Sequence, residues 1–267
     1  MKSLKKFIKA TLKTLLFLYL VICIGLYFFQ EKLIFFPRQL PSNFEFSFQR
    51  PFEEVQIPVD PPEQLNGLWF KQDSSKGLIF YLHGNAGALN GWGRIAPIYL
   101  NLGYDIFLLD YRGFGKSTGS IYSEAQFFGD AQKAYDWAKQ QYPSEKITII
   151  GYSIGTGVAA YLAANNEAQQ LILKAPYYSL VDMMQTYYAF IPTFLLKYRF
   201  ETYRYLPQIT VPISIFHGDQ DQVIPFNSSV RLQKLLKPTD QFIALPKAGH
   251  NGMNYHPQYI NFLKTLL

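Results

Sequence analysis

Lys146-Ile147-Thr148-Ile149-Ile150-Gly151-Tyr152-Ser153-Ile154-Gly155-Thr156-Gly157-Val158-Ala159-Ala160 is the stretch that decides how this chain reads. Its β-branched start predicts a strand, and its small apolar end predicts the opening of a helix. Between them stands Gly151-Tyr152-Ser153-Ile154-Gly155, a G-x-S-x-G pattern. The two glycines leave room for a turn too tight for side chains. Such a turn lifts the Ser153 hydroxyl to the top of a sheet, and the first N–H groups of the helix point at whatever the serine attacks. The pattern alone is a weak signal. A strand before it, a helix after it and ordered partners downstream make it strong.

Outward from this stretch the chain alternates. Residues 52–59 and 65–70 predict an antiparallel hairpin around the proline-rich 58–62. Further strands are expected at 77–82, 104–109, 146–150, 170–174, 211–216 and 240–245, and helices near 87–101, 123–141, 154–165, 225–236 and 256–267. Runs such as Leu78-Ile79-Phe80-Tyr81-Leu82 suit strands buried on both faces. The fold class is α/β, a mostly parallel central sheet flanked by helices. Residues 177–209 break the alternation with ten aromatics. They are too long for a simple connection and are read as a short helical cap, against the alternative of two further core helices.

A serine hydroxyl needs a base, and the base needs an acid that holds one tautomer. His83 and His217 each end a strand directly before glycine, where shaping a loop is the simpler role. His256 opens the last helix. His250 follows the last strand on a loop that reaches the sheet's C-terminal edge, and is taken as the base. Asp219 and Asp221 follow the preceding strand. Asp219 suits a turn former, and Asp221, further out, is preferred as the acid. Asp110 precedes the serine and is expected to order the Arg112-Gly113 loop, with Asp182 a distant reserve. Two N–H donors are expected to form an oxyanion hole, one from Ile154 and one from Asn85 in His83-Gly84-Asn85-Ala86-Gly87.

These motifs, with Asp110-Tyr111-Arg112-Gly113-Phe114-Gly115-Lys116-Ser117, His217-Gly218-Asp219-Gln220-Asp221 and Ala248-Gly249-His250, resemble the α/β-hydrolase superfamily. The resemblance covers about residues 50–267 and is nearest to membrane-anchored α/β-hydrolase-domain proteins with a short cap. It implies an α/β-hydrolase fold, a triad of Ser153, Asp221 and His250, and an oxyanion hole of Asn85 and Ile154. It leaves open esters, thioesters and some amides.

The first 32 residues are a separate matter. Lys2, Lys5, Lys6, Lys9 and Lys13 precede a stretch from Thr14 to Gln30 with no charged residue. Seventeen apolar or uncharged residues are the short end of what spans a bilayer. Residues 1–32 are therefore expected to be a basic tail and transmembrane anchor, 33–50 a linker, and 51–267 the hydrolase domain. The positive-inside rule places the N-terminus in the cytoplasm and the domain on the far side. The competing reading is a cleaved signal peptide and a secreted enzyme, since Cys23-Ile24-Gly25 is weakly small-x-small; the aromatics that run on past this site argue against it. A core helix of a soluble domain leaves five leading lysines unexplained.

Removing those five lysines from the net +6 leaves +1, so the basicity belongs to the tail and no nucleic-acid partner is expected. Cys23 is the single cysteine, which excludes an intrachain disulfide or a cysteine metal cluster. Gly115-Lys116-Ser117 lacks the upstream glycine of a phosphate loop. Asp219 and Asp221 lack the other ligands of a calcium loop. No cofactor and no metal are expected. The expected function is a membrane-anchored serine hydrolase acting on a small-molecule or lipid-like ester or thioester. Its rivals are a peptidase or amidase on the same residues and a catalytically silent membrane-anchored binding protein.

Overall fold

The strand leading into Ser153 lies in the middle of an eight-stranded sheet. The structure, a computed structural model, describes residues 2–267. In chain order the strands are β1 (Phe36–Pro37), β2 (Glu53–Pro58), β3 (Gln64–Phe70), β4 (Leu78–Leu82), β5 (Ala86–Gly87), β6 (Asp105–Leu109), β7 (Ile147–Tyr152), β8 (Gln170–Lys174), β9 (Ile213–Gly218) and β10 (Gln241–Leu245). The helices are α1 (Lys2–Phe29), α2 (Glu31–Ile34), α3 (Leu89–Trp92), α4 (Ala96–Leu100), α5 (Glu124–Gln141), α6 (Gly155–Asn165), α7 (Leu180–Tyr187), α8 (Thr202–Tyr205), α9 (Phe226–Gln233) and α10 (Pro257–Leu266).

The sheet order is β10-β9-β8-β7-β4-β6-β3-β2. Pairing is antiparallel at β2–β3 and β3–β6 and parallel elsewhere. Every residue of β4, β6, β7, β8 and β9 is buried, as continuous apolar runs with helices on both faces require. On one face Phe80, Phe107, Ile149 and Leu171 meet α5 and α6. On the other Tyr81, Ile106, Ile150 and Phe216 meet α3, α4 and α10. The edge strand β2 carries Glu53, Glu54 and Pro58, which discourage pairing with another chain.

The expected helix at 87–101 is instead α3, a 3-10 turn at Gly93–Ile95, and α4. Gly91, Gly93 and Pro97 interrupt the α-helical ladder. Residues 33–50, expected as a linker, pack along the domain. Phe35 is buried against Phe127, Tyr198 and Phe200. β1 pairs in parallel with β5, and Phe46 and Phe48 pack edge-to-face against Phe52 and Phe70. Between β8 and β9 lie α7, a turn at Thr193–Leu195, α8 and a turn at Leu206–Gln208. Tyr177, Tyr198, Phe200, Leu206 and Ile209 of this segment enter the main core, whereas α7 has no fully buried residue. The N-terminal α1 is one helix of 28 residues, long and apolar enough to cross a membrane, with Cys23 its single buried residue.

The close approach of α6 to the sheet is what aims Ser153. A Cβ on Gly155 would strike the carbonyl oxygen of Leu82 and lie 2.7 Å from that of His83. A Cβ on Gly151 would lie 2.6 Å from the Gly155 carbonyl and 2.7 Å from the Ala159 methyl. Both obstacles at Gly155 are backbone at the end of β4, so neither can step aside cheaply. Gly155→Ala is expected to lower stability by about 1–3 kcal/mol through overpacking. The reading is a lower urea midpoint at constant m; an unchanged midpoint would show that α6 can retreat.

Candidate active site

Ser153 joins β7 to α6 with φ of 54°, a left-handed conformation uncommon for a side-chain-bearing residue. Its surroundings hold it there. Its N–H donates to the Lys174 carbonyl at 2.9 Å, and its carbonyl accepts the Thr156 N–H at 2.9 Å and the Thr156 hydroxyl at 2.6 Å. The strain turns the side chain away from the sheet and toward the loop after β10.

His250 sits on that loop. The Ser153 hydroxyl donates to His250 Nε2 at 3.1 Å, and His250 Nδ1 donates to Asp221 Oδ2 at 2.7 Å. The Tyr152 hydroxyl donates to the His250 carbonyl, fixing the backbone of the loop. Asp221 is itself held on every side. Its Oδ1 accepts the N–H groups of Val223 at 2.8 Å and Ile224 at 2.9 Å. The Nε2–H of buried His217 is shared between Asp221 Oδ2 at 3.2 Å and the Ile224 carbonyl at 3.1 Å, while His217 Nδ1 accepts from the Ser229 hydroxyl at 2.6 Å. Burial alone would raise the Asp221 carboxyl. The hydrogen bonds from His217, then His250, outweigh it and hold the group well below the usual carboxylate range. An ionised carboxylate on Nδ1 leaves Nε2 free to take the serine proton.

The loop after β4 faces the same point. Gly84 lies close to Ser153: a Cβ there would stand 3.6 Å from the Ser153 Cβ and 3.3 Å from the Trp92 ring. Among the described residues, neither the Asn85 N–H nor the Ile154 N–H donates a hydrogen bond to the protein. Ile154 also precedes the first turn of α6, where the helix dipole favours negative charge. The loop is fastened from outside: the Phe36 N–H donates to the Asn85 carbonyl at 2.8 Å, and the Asn85 side-chain Nδ2 donates to the Ile34 carbonyl at 3.0 Å.

The structure thus brings together Ser153, His250, Asp221 and the backbone of Asn85 and Ile154. The remaining sequence candidates lie apart from this cluster or serve it indirectly. Asp110, expected to order Arg112-Gly113, instead receives His83 Nε2 at 3.2 Å and the Leu89 N–H at 3.1 Å; Arg112 turns to Asp130 and Asp60. Asp219 accepts the Lys247 N–H at 2.7 Å and ties the end of β9 to the His250 loop. Asp182 pairs with Arg231. His256 donates to the Pro246 carbonyl at 3.3 Å and makes no capping bond. Lys116 pairs with Glu54 at 2.6 Å, and Ser117 donates to the Asp110 carbonyl at 2.7 Å. Among the described residues no three His, Cys, Asp or Glu side chains are grouped to hold a metal.

Two supporting residues escape a reading of the sequence. His217 was assigned to loop shaping, yet it is a second donor to Asp221; its spacing four residues before Asp221 across a turn is the available signal. Lys174 is fully buried at the end of β8, donating to the Tyr81 hydroxyl at 2.9 Å and to Asn254 Oδ1. Burial lowers its pKa well below the ordinary lysine range. Its nitrogen also lies 5.3 Å from the Tyr152 ring and 5.1 Å from the Tyr259 ring. A charged residue closing the run Leu171-Ile172-Leu173 was the only hint of it.

Residues 77–201 match the α/β-hydrolase-fold family. The chain belongs to the α/β-hydrolase superfamily. Among solved structures, the Pyrococcus furiosus esterase Pf2001 shares the fold with a TM-score of 0.71 at 19% identity, covering 88% of this chain and 96% of the esterase. The lysophosphatidylserine lipase ABHD12 of Danio rerio is 32% identical over 232 residues, which cover 74% of this chain and 60% of the lipase. An uncharacterised protein of Mycobacterium tuberculosis is 27% identical over 227 residues, covering 83% of this chain and 80% of its own. The chain spans about three-fifths of the length of the lipase it resembles. The proteins it is similar to include an esterase and a lipase of this fold.

The depressed pKa of Asp221 has a sign that can be tested. With its folded value below its unfolded one, the group contributes stability above about pH 4 and loses it as pH falls through the folded value. Between about pH 5 and pH 3, the wild type is expected to lose stability faster than Asp221→Asn. Urea midpoints across that range give the comparison, and parallel slopes would mean the carboxylate is not held.

Proposed function

We propose that this hydrolase is a membrane-anchored serine enzyme that cleaves an acyl ester or thioester, with Ser153 as nucleophile, His250 as base and Asp221 as the acid orienting it. The observation that carries this reading is the unbroken hydrogen-bond chain from the Ser153 hydroxyl through His250 to Asp221. His250 Nε2 takes the hydroxyl proton as Ser153 Oγ bonds to the substrate's carbonyl carbon. The carbonyl oxygen becomes an oxyanion facing the N–H groups of Asn85 and Ile154. As the oxyanion collapses, His250 gives its proton to the departing alcohol or thiol, leaving an acyl-Ser153 ester. Water then attacks this ester with His250 again as base, releasing the carboxylic acid and restoring Ser153.

An apolar acyl group is the substrate reading best supported. The relative in Danio rerio is named a lysophosphatidylserine lipase. In addition, the segment 177–209, which we take as a cap, is dense in aromatics. We assign 1–32 as tail and anchor, 33–50 as the segment joining it to the domain, and 51–267 as the hydrolase domain. The five lysines before Thr14 favour an N-terminus in the cytoplasm with the domain across the membrane.

Labelling by a fluorophosphonate probe, followed by a p-nitrophenyl ester series and a lipid thioester, tests this directly. The wild type is expected to label, and Ser153→Ala to lose both label and kcat by several orders of magnitude. kcat/KM is expected to rise with acyl length. Retained activity in Ser153→Ala removes the nucleophile, and turnover of acetate alone removes the lipid-like substrate.

A further inference from the structure

Residues 183–196 form an uncharged run between Asp182 and Lys197. The run presents four large aromatic side chains outward: Tyr187 is 48% exposed, Tyr188 58%, Phe190 68% and Phe194 80%. A soluble surface rarely gathers so much apolar area in one short segment. This patch does not stand alone, because its other side is built on the N-terminal helix. The Tyr19 hydroxyl donates to the Phe190 carbonyl at 2.9 Å. Gln30 Nε2 donates to the Leu195 carbonyl at 3.1 Å, and Gln30 Oε1 accepts the Lys197 N–H at 2.8 Å. The charges at the ends of the run are paired, Lys197 with Glu31 at 3.0 Å and Asp182 with Arg231.

The position of Tyr19 matters most. It lies ten residues before the end of α1, about 15 Å along the axis at 1.5 Å per residue. Anything that covers the last turns of α1 must also surround Phe190. From Thr14 onward helix α1 is uncharged around its circumference and almost wholly bare, which suits hydrocarbon rather than water. Irregular backbone survives in hydrocarbon only where its polar groups are answered. Here the N–H groups of Tyr188, Ile191, Leu195 and Leu196 bond to nearby carbonyls and Pro192 has none. Those of Ala189, Phe190, Thr193 and Phe194 bond to no protein group among the described residues, which suits a backbone at headgroup level with its rings turned toward the acyl chains. Side chains from α1 and the residue following it take the carbonyls of Phe190 and Leu195.

We propose that residues 187–196 are a second membrane element, a wedge seated in the lipid leaflet beside α1 that passes acyl chains sideways toward Ser153. The proposal rests on the reading of α1 as a membrane anchor. The link to the site is short. The Tyr187 hydroxyl donates to the Val223 carbonyl at 3.3 Å, and the Val223 N–H donates to Asp221 Oδ1 at 2.8 Å. The inner end of the wedge therefore rests on the turn that carries Asp221. Its outer end offers aromatic rings to the acyl-chain region, the surroundings such rings accept next to a membrane boundary.

The test uses the full chain in phosphatidylcholine vesicles, with and without lipids brominated along the acyl chain. Leu16→Trp reports on α1 and Phe194→Trp on the wedge, each read as quenching beyond that of the native tryptophans Trp69, Trp92 and Trp137. Quenching of both is expected. Quenching at position 16 without quenching at position 194 overturns the wedge and leaves the anchor intact. Quenching at neither overturns both. Because this reading needs no turnover, it stands or falls separately from the serine chemistry. For delivery, the double variant Phe190→Asp/Phe194→Asp is assayed on one long-chain ester, presented in vesicles and in detergent micelles. The ratio of vesicle to micelle turnover is expected to fall at least tenfold, and an unchanged ratio overturns the lateral route.

Discussion

The contact between the first turn of α6 and the end of β4 governs the site. Two glycines, at 151 and 155, let a helix begin where a strand has barely ended. That closeness forces Ser153 into its left-handed backbone and turns its hydroxyl outward. It also sets the Ile154 N–H beside the loop that offers Asn85. The buried faces of the sheet hold the two elements together, so the strain at one residue is offset by packing across the whole core.

Electrostatics then finish what packing begins. Asp221 is a buried acid with two histidines and two backbone N–H groups around it, an arrangement in which the charged form is better satisfied than the neutral one. At the end of β8, burial pushes the Lys174 amine down from the ordinary lysine range, and its nitrogen donates to tyrosine hydroxyls and one asparagine oxygen. Through Asn254 and Tyr152 this cluster touches the loop that bears His250, at His250 itself and at the turn that follows it. Chemistry in front of the sheet is thus backed by a polar cluster behind it.

The parts legible in the sequence are those whose cause is local. Continuous apolar runs announced β4, β6, β7 and β8 because both faces of each are covered. The glycines around Ser153 announced the turn because no other residue fits there. His250 and Asp221 were readable from their places after successive strands. What stayed hidden depends on distant partners. Two residues of β1 pair with two of β5, too few for any periodicity, and beside them Phe35 finds a pocket among Phe127, Tyr198 and Phe200. His217 was legible as a residue that bonds and shapes its loop, but not as a donor to Asp221. Asp110, expected to order the Arg112-Gly113 loop, bonds His83 and the Leu89 N–H, partners from another strand end that no local pattern announces, while Arg112 is claimed by Asp130 from α5.

The pairing of Phe36 and Pro37 with Ala86 and Gly87 also fixes the posture of the domain on α1. Only a six-residue step, mostly helical, separates the end of α1 from a strand bonded to the Asn85 loop. A tether of flexible chain would let the domain roam a hemisphere and meet substrate at random orientations. Here the leash has no slack. On our reading of α1 as an anchor, the mouth of the proposed site is held at a set height and tilt relative to that helix, so encounters are confined to molecules arriving from one side.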